Sequence, residues 1–433
     1  MKTHKIVNTH ETGPIKSAAH TVDEARDKPS ANAPADGLIR PPKRNLSVKR
    51  KLWAWTASTA FATVFSSAAY AAPPTVEMTW MSIANWYFKI GDKSIVMDGY
   101  VSRLPLSLFT PSPTYANDLY AYTKAPANVD VATITKVRDA VLGTNKLDLL
   151  LVGHSHWDHS WDTPTWSKLT GAPMIGGEST CMQATAQGVV DSQCRSVSGG
   201  EKISLGNGIT MRVVRWNHSG DKSNPIQHFA RELYRPPVPD RETGGLRAGV
   251  GEDYPNGGGN RAFLFTVDNA DGQLSFFVNN SASSFDLDQD IVVDGVNYGS
   301  PIGNLAAAMK DAGLTQVDAW IGTGGQPVAA MVVPVLHPKA YVPSHWDGLF
   351  NAFWPGMPYP YKDDALKAFL EMQKVALIPE TQYFDKFVLS KSGITADTNH
   401  AVKSQLGFED SKQFSQSLLN AITQVSSTTV GDD

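Results

Sequence analysis

An apolar stretch at residues 149–152 runs almost directly into His154-Ser155-His156-Trp157-Asp158-His159, and this H-x-H-x-D-H run constrains the chain more than any other feature. Four metal-ligating side chains fall within six residues. Three histidines and an aspartate this close rarely coexist for packing reasons alone. Imidazole and carboxylate are the usual ligands of zinc-like cations. His154 and His156 are two apart, so in extended backbone they point to one side. Asp158 and His159 lie a step further on and reach a second position, about 3.5–4 Å away in two-metal hydrolases. The apolar stretch reads as a buried strand, with the run on the loop at its end.

Around that strand the pattern alternates between strands and helices. Strand-like segments are expected at residues 77–83, 86–90, 94–98, 170–175, 317–321 and 340–342. Hairpins are expected at 203–205 with 209–215, around Gly206-Asn207-Gly208, and at 262–267 with 274–278. Residues 129–142 have helical spacing, with Val131, Ile134, Val137 and Val141 on one face. Further helices are expected at 304–311, 362–375 and 408–425. Residues 221–260 are rich in Gly, Pro and charge and read as an insertion loop, a length that is usually functional. Hairpins dominate, which predicts an α/β sandwich of mixed sheets rather than a parallel doubly wound sheet. The expected division is a leader at 1–71, a catalytic domain at 72–390 and a C-terminal helical extension at 391–433.

The leader has its own logic. Residues 1–50 are polar and lack a helical or strand period, so they read as disordered. Lys49-Arg50-Lys51, an apolar run to Phe65 and the Ala69-Tyr70-Ala71 end then describe a secretory signal peptide cleaved after Ala71. An uncleaved membrane anchor is the alternative, since residues 52–70 nearly span a bilayer. The small-residue end favours cleavage, and with it a periplasmic or secreted protein without stable membrane association. Residues 1–71 hold 11 of the 38 Lys/Arg and 5 of the 42 Asp/Glu, so the remainder carries a net −10. That charge argues against nucleic-acid partners and for a small-molecule substrate. In an oxidising compartment the two cysteines, Cys181 and Cys194, are expected to form a disulfide.

Five histidines, 154, 156, 159, 218 and 345, stand where strand-like runs give way to loops. At this point the chain resembles the metallo-β-lactamase fold superfamily, over about residues 77–350. The shared order is a strand ending in Asp98, a helix, a strand followed by H-x-H-x-D-H, and two later strand-end histidines. The resemblance implies a four-layer αββα sandwich of two mixed β-sheets flanked by helices. It implies that His154, His156 and His218 hold one metal, and Asp158, His159 and His345 a second. The chain departs from the family at Asn280, or as the second choice Asn279, which takes the place of the usual bridging Asp in Phe276-Phe277-Val278-Asn279-Asn280-Ser281. An amide oxygen there would be a neutral ligand, leaving one or two Zn²⁺ per chain as open alternatives.

The implied activity is that of a metal-dependent hydrolase, in which a cation lowers the pKa of bound water and supplies hydroxide near pH 7. Asp158 would ligate and also orient the water. Trp157, Trp216 and Trp346 flank the ligands. If they line the cleft, the substrate is apolar or aromatic; otherwise they are core. The substrate class the resemblance implies is a small ester, lactone or amide. Three other readings stay open: a mononuclear zinc dehalogenase of activated aromatics, an Fe²⁺-dependent thiol or persulfide dioxygenase, and a non-catalytic metal-binding scaffold.

Overall fold

The computed structural model describes residues 75–105, 108, 126–219, 231–246, 259–269, 272–354 and 356–408. The expected leader at 1–71 and nearly all of the helix expected at 408–425 lie outside the described residues. The chain opens as a meander, β1 (Val76–Ser82), β2 (Asn85–Ile90) and β3 (Lys93–Met97). Helix α1 (Val131–Leu142) starts where the Asp130 carboxylate accepts from the Thr133 N–H. Next come β4 (Leu149–Leu151), α2 (Trp157–Ser160), α3 (Thr163–Thr170), β5 (Met174–Gly176), α4 (Glu178–Ala186) and β6 (Cys194–Ser196). The second half begins with β7 (Lys202–Gly206), β8 (Ile209–Trp216), β9 (Asn260–Val267) and β10 (Leu274–Val278). A small ribbon, β11 (Val292–Val293) with β12 (Val296–Asn297), precedes α5 (Pro301–Ala312). Then follow β13 (Ala319–Gly322), α6 (Gly325–Leu336), β14 (Ala340–Pro343), α7 (Asp364–Met372) and β15 (Ala376–Leu377). The described chain closes with β16 (Lys386–Ser390), β17 (Gly393–Asp397) and α8 (His400–Leu406).

Two mixed sheets result. One has the order β17-β16-β1-β2-β3-β4-β5-β6 and the other β15-β14-β13-β10-β9-β8-β7. Each is antiparallel at one end and parallel at the other. Period-two alternation sorts their side chains. Met211, Val213, Phe263, Phe265, Phe276 and Val278 enter the core shared with the first sheet, where Phe276 meets Phe88 at 5.5 Å. Their neighbours Val214, Trp216, Leu264 and Phe277 face a second core with Leu305 of α5, Val328 and Val332 of α6, and Leu366 of α7. Ile134 of α1 and Trp166 of α3 pack on the first sheet. The layers are therefore helix, sheet, sheet, helix, as expected.

Two corrections concern elements. The boundary expected at 390 falls inside the β16–β17 hairpin, so residues 391 onward begin as an edge strand of the first sheet rather than as a helical extension. The half-buried period of Phe387 and Leu389 is the local signal for β16, the strand that β17 pairs with. Helices α3, α4 and α6 were not expected: α3 and α4 are short, and α6 is apolar on most sides and contains Pro334. In the expected insertion, residues 231–246 carry no helix or strand, only a bridge between Leu246 and Ala127. Glu232 ties this segment down, accepting from the Ser179 N–H at 2.7 Å and pairing with Arg261.

Candidate metal centre

Five strands deliver side chains to one edge of the sandwich. Asp98 follows β3, the H-x-H-x-D-H run follows β4, His218 follows β8, Asn280 follows β10 and His345 follows β14. His154 to His156 is irregular backbone, and α2 then turns Asp158 and His159 away from the first pair. Gly153 is required here by close approach. A Cβ on it would lie 2.1 Å from the Asn280 amide nitrogen.

Two clusters form. His154, His156 and His218 make one, and Asp158, His159 and His345 the other, with the donor atoms of each within 4.8 Å of one another. In the first, His154 Nε2 faces His156 Nδ1 at 3.2 Å. Two nitrogens on one tetrahedral zinc at 2.0–2.1 Å lie about 3.3 Å apart. In the second, Asp158 Oδ2 lies 3.0 Å from His159 Nε2 and 3.0 Å from His345 Nε2. The rings of His154 and His159 are 4.1 Å apart, so the clusters are neighbours.

Outer partners set the tautomers. His218 Nδ1 donates to the Ser219 carbonyl at 2.7 Å, leaving Nε2 as the lone pair. His159 Nδ1 lies 2.8 Å from Asp98 Oδ2. Asp98 Oδ1 accepts from the Gly153 N–H at 3.1 Å, and the residue sits in the left-handed region at φ 61°. Sequence reading treated Asp98 as a landmark and missed this role; its position at a strand end beside the metal run was the available signal.

Asn280 is placed otherwise than expected. Its Oδ1 is 3.4 Å from His154 Nδ1, the nitrogen on the far side of that ring from His156. Its Nδ2 donates to Asp98 Oδ2 at 2.9 Å. The amide thus stands behind the ligand rings, one end toward an imidazole and the other toward a carboxylate. A carboxylate in the same pose could not donate to Asp98 and would repel it.

The two clusters differ in charge. Burial, then the neighbouring imidazoles, hold His154 and His218 well below the ordinary histidine range. Burial likewise brings His156 down to about 4. Three neutral rings are the state a cation requires. Around Asp158 burial acts upward, but His159 and His345 outweigh it and hold the carboxyl well below its ordinary value. Burial also opposes charge on His159, yet Asp158 and Asp98 push it up to about 10. A cation at this cluster would take the place of that proton. The residues present fit a divalent metal pair.

The tryptophans divide. Trp216 is fully buried beneath α5 and α6, edge-on to Phe277 at 5.4 Å, because alternation along β8 turns it away from the site; it is core, not pocket. Trp346 is partly buried, stacked on Trp80 at 5.4 Å, with its Nε1 donating to Glu380. Trp157 is 5% exposed, held between Tyr100 and Phe350. Phe350 is 38% exposed and stacks on Trp157 at 5.3 Å. Cys181 of α4 and Cys194 of β6 form the expected disulfide.

Two facing mixed sheets, outer helices and a histidine-rich centre at the strand ends are the metallo-β-lactamase fold. No family model matches the chain. It is similar to a UPF0173 metal-dependent hydrolase of Pyrobaculum islandicum, 30% identical over 76 residues, 18% of this chain and 34% of that protein. A UPF0173 protein of Pyrococcus furiosus is 36% identical over 100 residues, 21% of this chain and 46% of that one. The chain spans between about a third and about half of the length of the curated relatives it matches. Among solved structures it is similar to Igni18, a metallo hydrolase of Ignicoccus hospitalis, at TM-score 0.41 and 12% identity, covering 73% of this chain and 99% of that one. It is also similar to an isothiocyanate hydrolase from Delia radicum gut bacteria, at TM-score 0.39 and 11% identity, covering 72% and 98%.

Proposed function

We propose that this protein is an exported, zinc-dependent hydrolase of a small, largely apolar ester, lactone or amide. The observation that carries the reading is the pair of adjacent clusters, one of three neutral imidazoles and one built on an ionised carboxylate. A divalent cation at such a centre supplies a nucleophilic water at neutral pH and polarises the oxygen of the scissile group. The chain's own residues do the rest. His154, His156 and His218 would hold the first ion, and Asp158, His159 and His345 the second. Asp158 would also orient the attacking water. Asp98 and Asn280 fix the ring orientations from behind. The exposed Phe350, stacked on Trp157, offers an apolar contact for the part of the substrate that does not react. Export is supported by the A-x-A end at Ala69–Ala71 and by the Cys181–Cys194 bridge, which persists in an oxidising compartment.

The test is elemental mass spectrometry of the purified protein, with turnover assays on activated esters, lactones, amides and β-lactams. About two zinc per chain, with turnover lost in His154→Ala, is the expected result. Iron in place of zinc would point to oxygen chemistry. A protein that takes up no metal sinks the reading.

A further inference from the structure

The tetrapeptide Ser-His-Trp-Asp occurs twice, at residues 155–158 and 344–347. Each copy follows a parallel strand, β4 in one sheet and β14 in the other. In the first, both His156 and Asp158 belong to the metal clusters. In the second, His345 does, but the carboxylate of Asp347 lies outside them. Asp347 is completely buried. Its Oδ1 accepts from the Ile83 N–H at 2.9 Å. Its Oδ2 accepts from the Tyr383 hydroxyl at 2.7 Å and faces Arg103 Nη2 at 3.4 Å.

The backbone of Ile83 leads back to the metal centre. Its carbonyl accepts from the His345 N–H at 2.9 Å, and also from Trp80 Nε1 at 2.9 Å and the Ser344 hydroxyl at 3.2 Å. Both Ile83 (φ 48°) and His345 (φ 63°) occupy the left-handed region, which a β-branched residue and a non-glycine ligand rarely adopt. Such backbone persists only where its surroundings over-determine it. Here Asp347 holds the N–H of Ile83 while the carbonyl of the same residue holds His345. Arg103 and Tyr383 hold Asp347 in turn, and the Arg103 guanidinium lies about equally far, 5.8 Å, from the Phe353 and Tyr383 rings.

We propose that Asp347 is a positioning residue for the second metal, fixing His345 through the backbone of Ile83. This rests on the reading of the centre as a two-metal site. Outer-layer partners of this kind are worth 10–100-fold in metal affinity.

The experiment is titration of metal-free protein with Co²⁺, followed by the visible absorption of the bound ion and by stoichiometry from elemental mass spectrometry. In Asp347→Ala the first Co²⁺ should bind as in the wild type, and the second about 10–100-fold more weakly with an altered spectrum. Asp347→Asn keeps an oxygen facing the Ile83 N–H and should recover most of the second-site affinity. Should Asp347→Ala fail to fold, Tyr383→Phe, which removes one donor from Asp347 and nothing from the centre, should still weaken the second ion several-fold. Second-site binding unchanged in the variants overturns the proposal, as does equal weakening of both sites. Wild-type protein that binds no Co²⁺ overturns the two-metal reading and this proposal together; two ions in wild type and two equally tight in Asp347→Ala overturn the proposal alone.

Discussion

Asn280 does at the residue scale what a carboxylate there could not: it donates to Asp98 while facing His154 with an acceptor. In Asn280→Asp two carboxylates would meet at the 2.9 Å now spanned by a hydrogen bond. The chelated variant should be less stable than chelated wild type by about 1–3 kcal/mol. Zinc should narrow the gap as the new carboxylate turns toward the ions, a comparison that thermal melts with and without chelator would make. Asp162 offers a pH test away from the ligands. It is buried and accepts from the Val101 and Ser102 N–H groups and the Ser102 hydroxyl. Burial pushes its pKa up to about 6 despite those donors. A folded-state value above the unfolded one means stability present below about pH 4 and lost as pH rises through about 6. From pH 8 to pH 4, wild type should therefore gain up to about 3 kcal/mol on Asp162→Asn, which cannot titrate. Urea unfolding across that range checks the sign; a flat difference would remove Asp162 as the cause. At this scale the H-x-H-x-D-H ligands were legible because they are contiguous. The pose of Asn280 was not, because its partner Asp98 is 182 residues away in sequence.

At the scale of elements, the strands were legible wherever apolar and polar residues alternate or an apolar run is bounded by turns, as in β8 and β10. What escaped were elements with no face to show: α4, whose small polar residues give little amphipathic contrast, and α6, apolar on most sides. Trp216 misled for the opposite reason. Its place two residues before His218 suggested a pocket, but β8 ends at Trp216, on the face turned to α5 and α6, and His218 lies past that end where the strand's alternation no longer applies. The disulfide also acts at this scale, tying α4 to β6 across a separation of 13 residues. Closing a loop of that length stabilises by about 3 kcal/mol. Cys194→Ser, or reduction of the wild type, should lower the unfolding free energy by about that amount in urea while leaving metal content unchanged.

For the whole molecule, the sandwich of mixed sheets followed from the element pattern, but the four-layer order and the partition of six ligands between two ions came from the resemblance rather than from spacing. The clusters join both sheets, since His218 and His345 come from the second and the H-x-H-x-D-H run from the first. Bound ions should therefore stabilise the global fold, by about 4 kcal/mol per site at a thousandfold excess over Kd. Chelation should lower the melting temperature cooperatively, and His345→Ala should lose the increment from one ion only. Two separate melting transitions on chelation would show that the sheets do not depend on each other through the metals.

The same arrangement orders events in time. Residues 154–159 leave the ribosome together, whereas His218 and His345 follow 64 and 191 positions after His154. An ion that meets the nascent chain early finds half of each coordination sphere, held by a segment that has no sheet behind it yet. Tight capture waits until both sheets have closed on each other, so metal loading reports completed folding, and a chain stalled midway is left with weak, exchangeable metal.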